Sequence, residues 1–209
     1  MKKLFFLFTG ILLASVTVKS QLSIGPRTGL NISKENYTNT ADYSTSSHNF
    51  FTAGVFANYR TQKNIAFELS VNYSPEGTHE TIKSGNTVTG SGVVTIKRIN
   101  IPLLVQYHTK PGIYFETGPQ IGLLSQAYGD YTTGHYDFKA NTRSSLASWV
   151  LGAGYQLTKH LTGLGINASY AKGLSHTQKG TANAGNITAS TFSIKLFYGF
   201  QIKKKDKKQ

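Results

Sequence analysis

Eight segments of this chain alternate between an apolar face and a face of small or polar residues with a period of two. Nowhere beyond residue 20 do 18 apolar residues run together. A period of two puts residues i, i+2 and i+4 on one side of an extended strand, so the chain is built from strands and has no helix able to span a bilayer. In the first segment Leu22, Ile24, Pro26, Thr28, Leu30 and Ile32 oppose Ser23, Gly25, Arg27, Gly29, Asn31 and Ser33. The third is the cleanest, with Ile65, Phe67, Leu69, Val71 and Tyr73 against Ala66, Glu68, Ser70, Asn72 and Ser74. The others cover residues 51–60, 98–108, 113–123, 149–157, 163–170 and 192–202.

Segments of about ten residues have the length of a tilted membrane-spanning strand. The connections alternate in length. Those at 61–64, 109–112 and 158–160 are short, whereas 34–49, 75–92, 125–145 and 171–187 are long and polar. The fold class expected is therefore all-β: an eight-stranded antiparallel transmembrane (outer-membrane) β-barrel, an up-and-down meander with long loops on the outer side. Tyr59, Tyr107, Tyr155 and Tyr198 fall toward the short turns, and Phe51, Tyr73, Trp149, Tyr170 and Phe192 toward the long loops. Two such rings suit two membrane interfaces, where an aromatic body meets lipid and its polar tip meets water.

A soluble eight-stranded carrier of the lipocalin type would turn its polar face to water. Here that face is mostly Gly, Ser and Asn, too small and too uncharged for a solvated surface and suited to a narrow interior. The composition agrees, with 21 Gly, 12 Tyr and 12 Phe against only 15% charged residues. There is no cysteine, which removes disulfides, thiolate metal sites and cysteine nucleophiles.

The net charge of +13 divides by position. Met1-Lys2-Lys3, the apolar run Leu4 to Val18, and Val18 and Ser20 at −3 and −1 of a cut before Gln21 form a signal peptide over 1–20. The barrel domain occupies 21–202, and a lysine-rich C-terminal tail occupies 203–209. Leader and tail carry much of the positive charge, so the basic balance does not mark a nucleic-acid binder. One feature conflicts with a closed barrel. Pro26, Pro102 and Pro119 lie inside strands, where each lacks a ladder donor, and bulges are expected there.

The run Ile99-Asn100-Ile101-Pro102-Leu103-Leu104, followed by Tyr114-Phe115-Glu116-Thr117-Gly118-Pro119, resembles the PorT-like outer-membrane β-barrel family of Bacteroidetes. The opening Gly25-Pro26-Arg27-Thr28-Gly29-Leu30-Asn31, the stretch Phe67–Gly77, Gly152-Ala153-Gly154-Tyr155 and Tyr198-Gly199-Phe200 are similar to that family's motifs in order. The resemblance implies a barrel, an outer-membrane location and a bacterial group. The family's namesake is tied to protein secretion and gliding, but the family is broad and that role does not transfer.

Six charged residues fall on the inward face: Arg27, Arg60, Glu68, Arg98, Glu116 and Lys195. A lone charge in a narrow lumen is costly, so a mutually paired structural network is expected, with Glu68 and Glu116 at similar depth. No catalytic residue, metal site or cofactor is read from the sequence. The histidines are scattered, and neither a P-loop nor a G-x-S-x-G motif occurs. Ser125, Asp130, His135 and Asp137 are the candidates for a rim-located hydrolytic site.

The function expected is a non-enzymatic structural or interaction role, with partners met through the outer loops. The alternatives are a component of a secretion or envelope assembly with a periplasmic partner, and an outer-membrane hydrolase. Outer-membrane lipid and a protein partner in the envelope are the expected contacts, with no nucleic acid, for a monomeric barrel. Cell fractionation should recover the protein with the outer membrane and show heat-dependent gel mobility; a soluble periplasmic monomer with no mobility shift would overturn the membrane reading.

Overall fold

The computed structural model describes residues 21–36, 43–61, 64–84, 87–109, 112–157, 162–178 and 187–202. The leader, residues 1–20, and the lysine tail, 203–209, lie outside the described residues. The strands are β1 (Gln21–Asn36), β2 (Tyr43–Arg60), β3 (Ile65–Ser84), β4 (Thr87–His108), β5 (Ile113–Tyr131), β6 (Gly134–Asp137), β7 (Ser145–Gln156), β8 (Leu164–Gly173), β9 (Thr188–Tyr198) and β10 (Phe200–Ile202). All pairings are antiparallel. β1 pairs with β2 on one side and with β9 and β10 on the other, so the sheet closes on itself. β9 and β10 form one stave interrupted at Gly199, and β6 folds back on β5 above the ring. The result is an eight-staved meander barrel.

The faces fall as the alternation requires. Outward residues stay exposed, Phe51 at 62% and Leu151 at 58%, whereas Asn31, Glu68, Asn72, Gln106 and Glu116 are buried inside. The aromatic residues expected at the two interfaces all face outward. In β3 the apolar band runs from Ile65 to Tyr73. That is roughly 26 Å along the strand and, at the ~40° tilt usual for such barrels, about 20 Å along the membrane normal.

The expected bulges at Pro26, Pro102 and Pro119 are not where the register shifts. Shifts occur between Ser47 and Ala53, between Ile82 and Lys83, and between Lys97 and Arg98. Each proline instead interrupts one ladder and leaves the other intact. Pro26 pairs with Val55 of β2, while the β1 ladder to β9 and β10 skips from Ile24 to Arg27. Pro102 pairs with Gln120 and breaks the β3–β4 ladder; Pro119 pairs with Trp149 and breaks the β4–β5 ladder. The reason is geometric. In an antiparallel sheet a residue's N–H and C=O point to the same neighbour, so a missing donor is felt on one side only.

The long connections also differ from expectation. Much of 34–49, 75–92 and 125–145 is strand, continuing the wall past the lipid-facing band. β3 and β4 pair as far as Ser84 and Thr87, so Ser74–Ser84 add roughly 35 Å of paired strand. Within this extension the interior turns apolar on the side of β4 and β5, while Thr78 and Glu80 keep the β3 side polar. Val94, Ile96 and Ala127 are buried together, with Leu124, Tyr131 and Phe138 packed against them. The switch follows the bulge at Lys97/Arg98, where Ser125 is the extra residue of β5 and moves Ala127 to the inside.

Closure demands close approach at the seam. A Cβ at Gly29 would lie 2.0 Å from the carbonyl oxygen of Ile194, and one at Gly25 would meet that of Tyr198. Gly29→Ala should therefore cost at least about 3 kcal/mol of stability through overpacking against backbone. Gly90→Ala, whose Cβ would have no neighbour nearer than 3.9 Å, should be neutral, as read by urea unfolding in micelles with gel mobility reporting the folded fraction.

Candidate functional site

The lumen concentrates the polar chemistry of the described residues, and hydrogen bonds organise it in two layers. In the layer nearer the short turns Arg27 of β1 donates through Nη2 to Glu68 Oε1 of β3 at 2.6 Å, with both side chains buried. The guanidinium also lies 4.7 Å over the Phe56 ring. Gln106 of β4 joins two carboxylates, its Nε2 donating to Glu68 Oε2 at 3.0 Å and to Glu116 Oε2 at 2.9 Å. Glu68 and Glu116 thus do share a level. Asn58 donates to Gln106 Oε1, and Asn167 to Glu116 Oε1. Beneath them Phe56, Tyr114 and Phe197 form a buried aromatic cluster, with His108 stacked on Tyr114 at 5.1 Å.

The outer layer is built on Asn31, Ser74, Glu76, Asn100 and Ser193. Asn31 donates to Ser74 Oγ at 2.8 Å and accepts from Ser193 Oγ at 2.8 Å, which links β1, β3 and β9 across the interior. Asn100 donates to Glu76 Oε1 at 2.7 Å. A small polar cavity remains between the layers, lined in part by Arg27, Asn72, Glu76, Glu116, Ser193 and Lys195.

The six charged positions expected inside are all inward, but they do not form a continuous ionic network. Among the described residues, Arg27–Glu68 is the ion pair these six positions form. Glu116 is held by the neutral amides of Gln106 and Asn167. Arg98, 1% exposed, donates to the carbonyl of Arg143 at 3.3 Å, which ties the wall to the segment before β7. Lys195 pairs in register with Gly29 and lies in the field of Arg27, Glu116, Glu68 and Glu76. Arg60 lies at the short-turn mouth near His108.

Three buried carboxylates were missed on the sequence: Glu35, Glu76 and Glu80. Ser74, Glu76, Thr78 and Glu80 continue the inward alternation of β3, but Pro75 and Gly77 look like turn residues.

The rim candidates separate. Asp130 and His135 pair across the β5–β6 hairpin, with Oδ1 and Nδ1 2.5 Å apart and both side chains more than half exposed. Asp137 instead accepts from the backbone N–H of Lys139 at 2.7 Å and so starts the short turn 139–141. Ser125 lies five residues down the strand from Asp130, roughly 17 Å away. No group of three metal-ligating side chains is found among the described residues.

Residues 14–179 match the family described as outer membrane protein beta-barrel domain. No curated protein matches the chain. Among solved structures, Neisserial surface protein A (NspA) superposes with a TM-score of 0.54 at 14% identity, over 85% of this chain and 97% of that one. Ail, the attachment invasion locus protein of Yersinia pestis, gives 0.44 at 15% identity over 87% and 99%. OprG from Pseudomonas aeruginosa gives 0.40 at 15% identity over 87% and 95%. At 14% identity the likeness to NspA is one of fold.

The Arg27–Glu68 pair supplies the test of the lumen. Glu68→Gln leaves a buried guanidinium without its counter-charge and should cost about 3 kcal/mol. The double variant Arg27→Met/Glu68→Leu should recover much of that loss in the same micelle unfolding measurement.

Proposed function

The chain belongs to the outer membrane protein beta-barrel domain family, and from that premise we propose that it is a non-catalytic interaction protein whose outer β-extension meets partners in the envelope or beyond it. One observation carries this reading: among the described residues, β2, β3, β4 and β5 continue as paired strands beyond the apolar band. A surface already ordered in the free protein loses little conformational freedom on binding, which raises affinity for a given contact area. The apolar cluster of Val94, Ile96 and Ala127 holds the extension from inside.

The layered lumen fits a structural role, keeping the wall rigid beneath that surface. The distance between Ser125 and the Asp130–His135 pair supports the absence of hydrolysis, because a nucleophile must lie within hydrogen-bond reach of its base. The order of motifs shared with PorT-like barrels supports placing the chain in that branch.

Replacing residues 79–93 by a two-residue Asn-Gly turn should leave the heat-modifiable barrel intact. It should also abolish surface cross-links that the unaltered protein forms on cells. Unchanged cross-linking in a folded truncated barrel would overturn the reading. His135→Ala should leave every surface activity unaltered.

A further inference from the structure

The outward face of the closing seam changes character in a single pleat. On β1 the lipid-facing run Leu30, Ile32 ends and the next outward residue is Lys34; on β8, Ile166, Ala168 and Tyr170 are followed by Lys172. Both lysines pair in register with the same residue, Ser190 of β9, which stands directly above the outward Phe192. Lys172 is also opposite Trp149 of β7. Two lysines therefore flank one serine in register, on the two strands that adjoin β9. With strands spaced about 4.8 Å apart, their backbones are about 10 Å from one another.

The patch is one-signed. No acidic residue stands on the outward face of β1, β8 or β9; Glu35 of β1 is buried on the inside. Among the described residues neither Lys34 nor Lys172 makes an ion pair. Lys97 provides the contrast. It also stands one outward position beyond an apolar residue, Ile99, but its Nζ donates to Gln126 Oε1 at 3.0 Å and lies 5.1 Å over the Tyr128 ring.

Trp149 beside Lys172, and Phe192, Tyr170 and Ile32 one outward position below the pair, form an apolar surface at the upper edge of the band that faces acyl chains. A ligand that meets both parts must carry an anionic oxygen group on top of hydrocarbon tails. We propose that Lys34 and Lys172, across Ser190, form a site for the phosphate group of a membrane lipid, seated on the seam at the long-loop end of the band. Flexible ammonium groups suit a phosphate, whose oxygens accept from several directions. The site sits where β1 and β9 join, so a ligand held by both lysines spans the last stave from β1 to β8. This requires the barrel to lie in a membrane and is independent of what the outer extension binds.

The test uses the full chain reconstituted in phosphatidylcholine vesicles containing a minor fraction of spin-labelled phosphatidylglycerol. The readout is the selectivity of the motionally restricted lipid for phosphatidylglycerol over phosphatidylcholine. Lys34→Gln and Lys172→Gln should each lower that selectivity roughly fivefold, and Lys97→Gln should leave it unchanged. Heat-dependent mobility confirms that every variant is folded. Unchanged selectivity in the Lys34→Gln/Lys172→Gln double variant, or an equal loss in Lys97→Gln, would overturn the site. At ionic strength matched with chloride, inorganic phosphate should not displace the lipid; displacement as complete as that by excess phosphatidylglycerol would assign the site to free phosphate and overturn its lipid source.

Discussion

A backbone in hydrocarbon has no water to hydrogen-bond, so a sheet can stay there only without an edge. The junction of β1 with β9 and β10 satisfies that requirement, and much of the local sequence answers to it. Gly25 and Gly29 let two backbones approach where a methyl group would collide. Gly199 interrupts the last stave next to the residues that face Pro26. Pro26, Pro102 and Pro119 are tolerated because each weakens one ladder and leaves the opposite ladder in register.

Closure with only eight staves leaves an interior too narrow for an open channel, so its side chains must satisfy one another. Amides do most of this. Gln106, Asn167, Asn31 and Asn100 distribute donors among carboxylates and hydroxyls, and Arg27–Glu68 supplies a full ionic contact. Above the band water replaces lipid outside the wall, and the inside becomes apolar around Val94, Ile96 and Ala127. One extra residue, Ser125, separates the two regimes on β5.

The alternation made the fold legible, since the inward and outward sets of all eight staves could be read from residue type alone. The strand ends could not. In β3, Pro75 and Gly77 have the chemistry of a turn, and only their pairing with Lys97 and Thr95 of β4 keeps them extended. That pairing is non-local information, and the inward placement of Glu76 and Glu80 depends on it. The bulge at Ser125 was equally hidden, because an unpaired serine looks no different from a paired one. Arg27 and Glu68 were legible as inward charges. Their contact, and the mediation of Glu68 and Glu116 by Gln106, depend on lateral position around the ring, which a one-dimensional pattern does not hold.

The seam also orders events in time. Every other junction in the ring joins neighbours along the chain, so each can zip up as a hairpin once its turn has formed. Asn31 and Ser193 are separated by 162 positions, and their meeting has no local nucleus to start from. The staves from β1 to β9 can therefore accumulate as an open, curling sheet. The barrel becomes a single cooperative unit only at the moment its two ends of the chain come together.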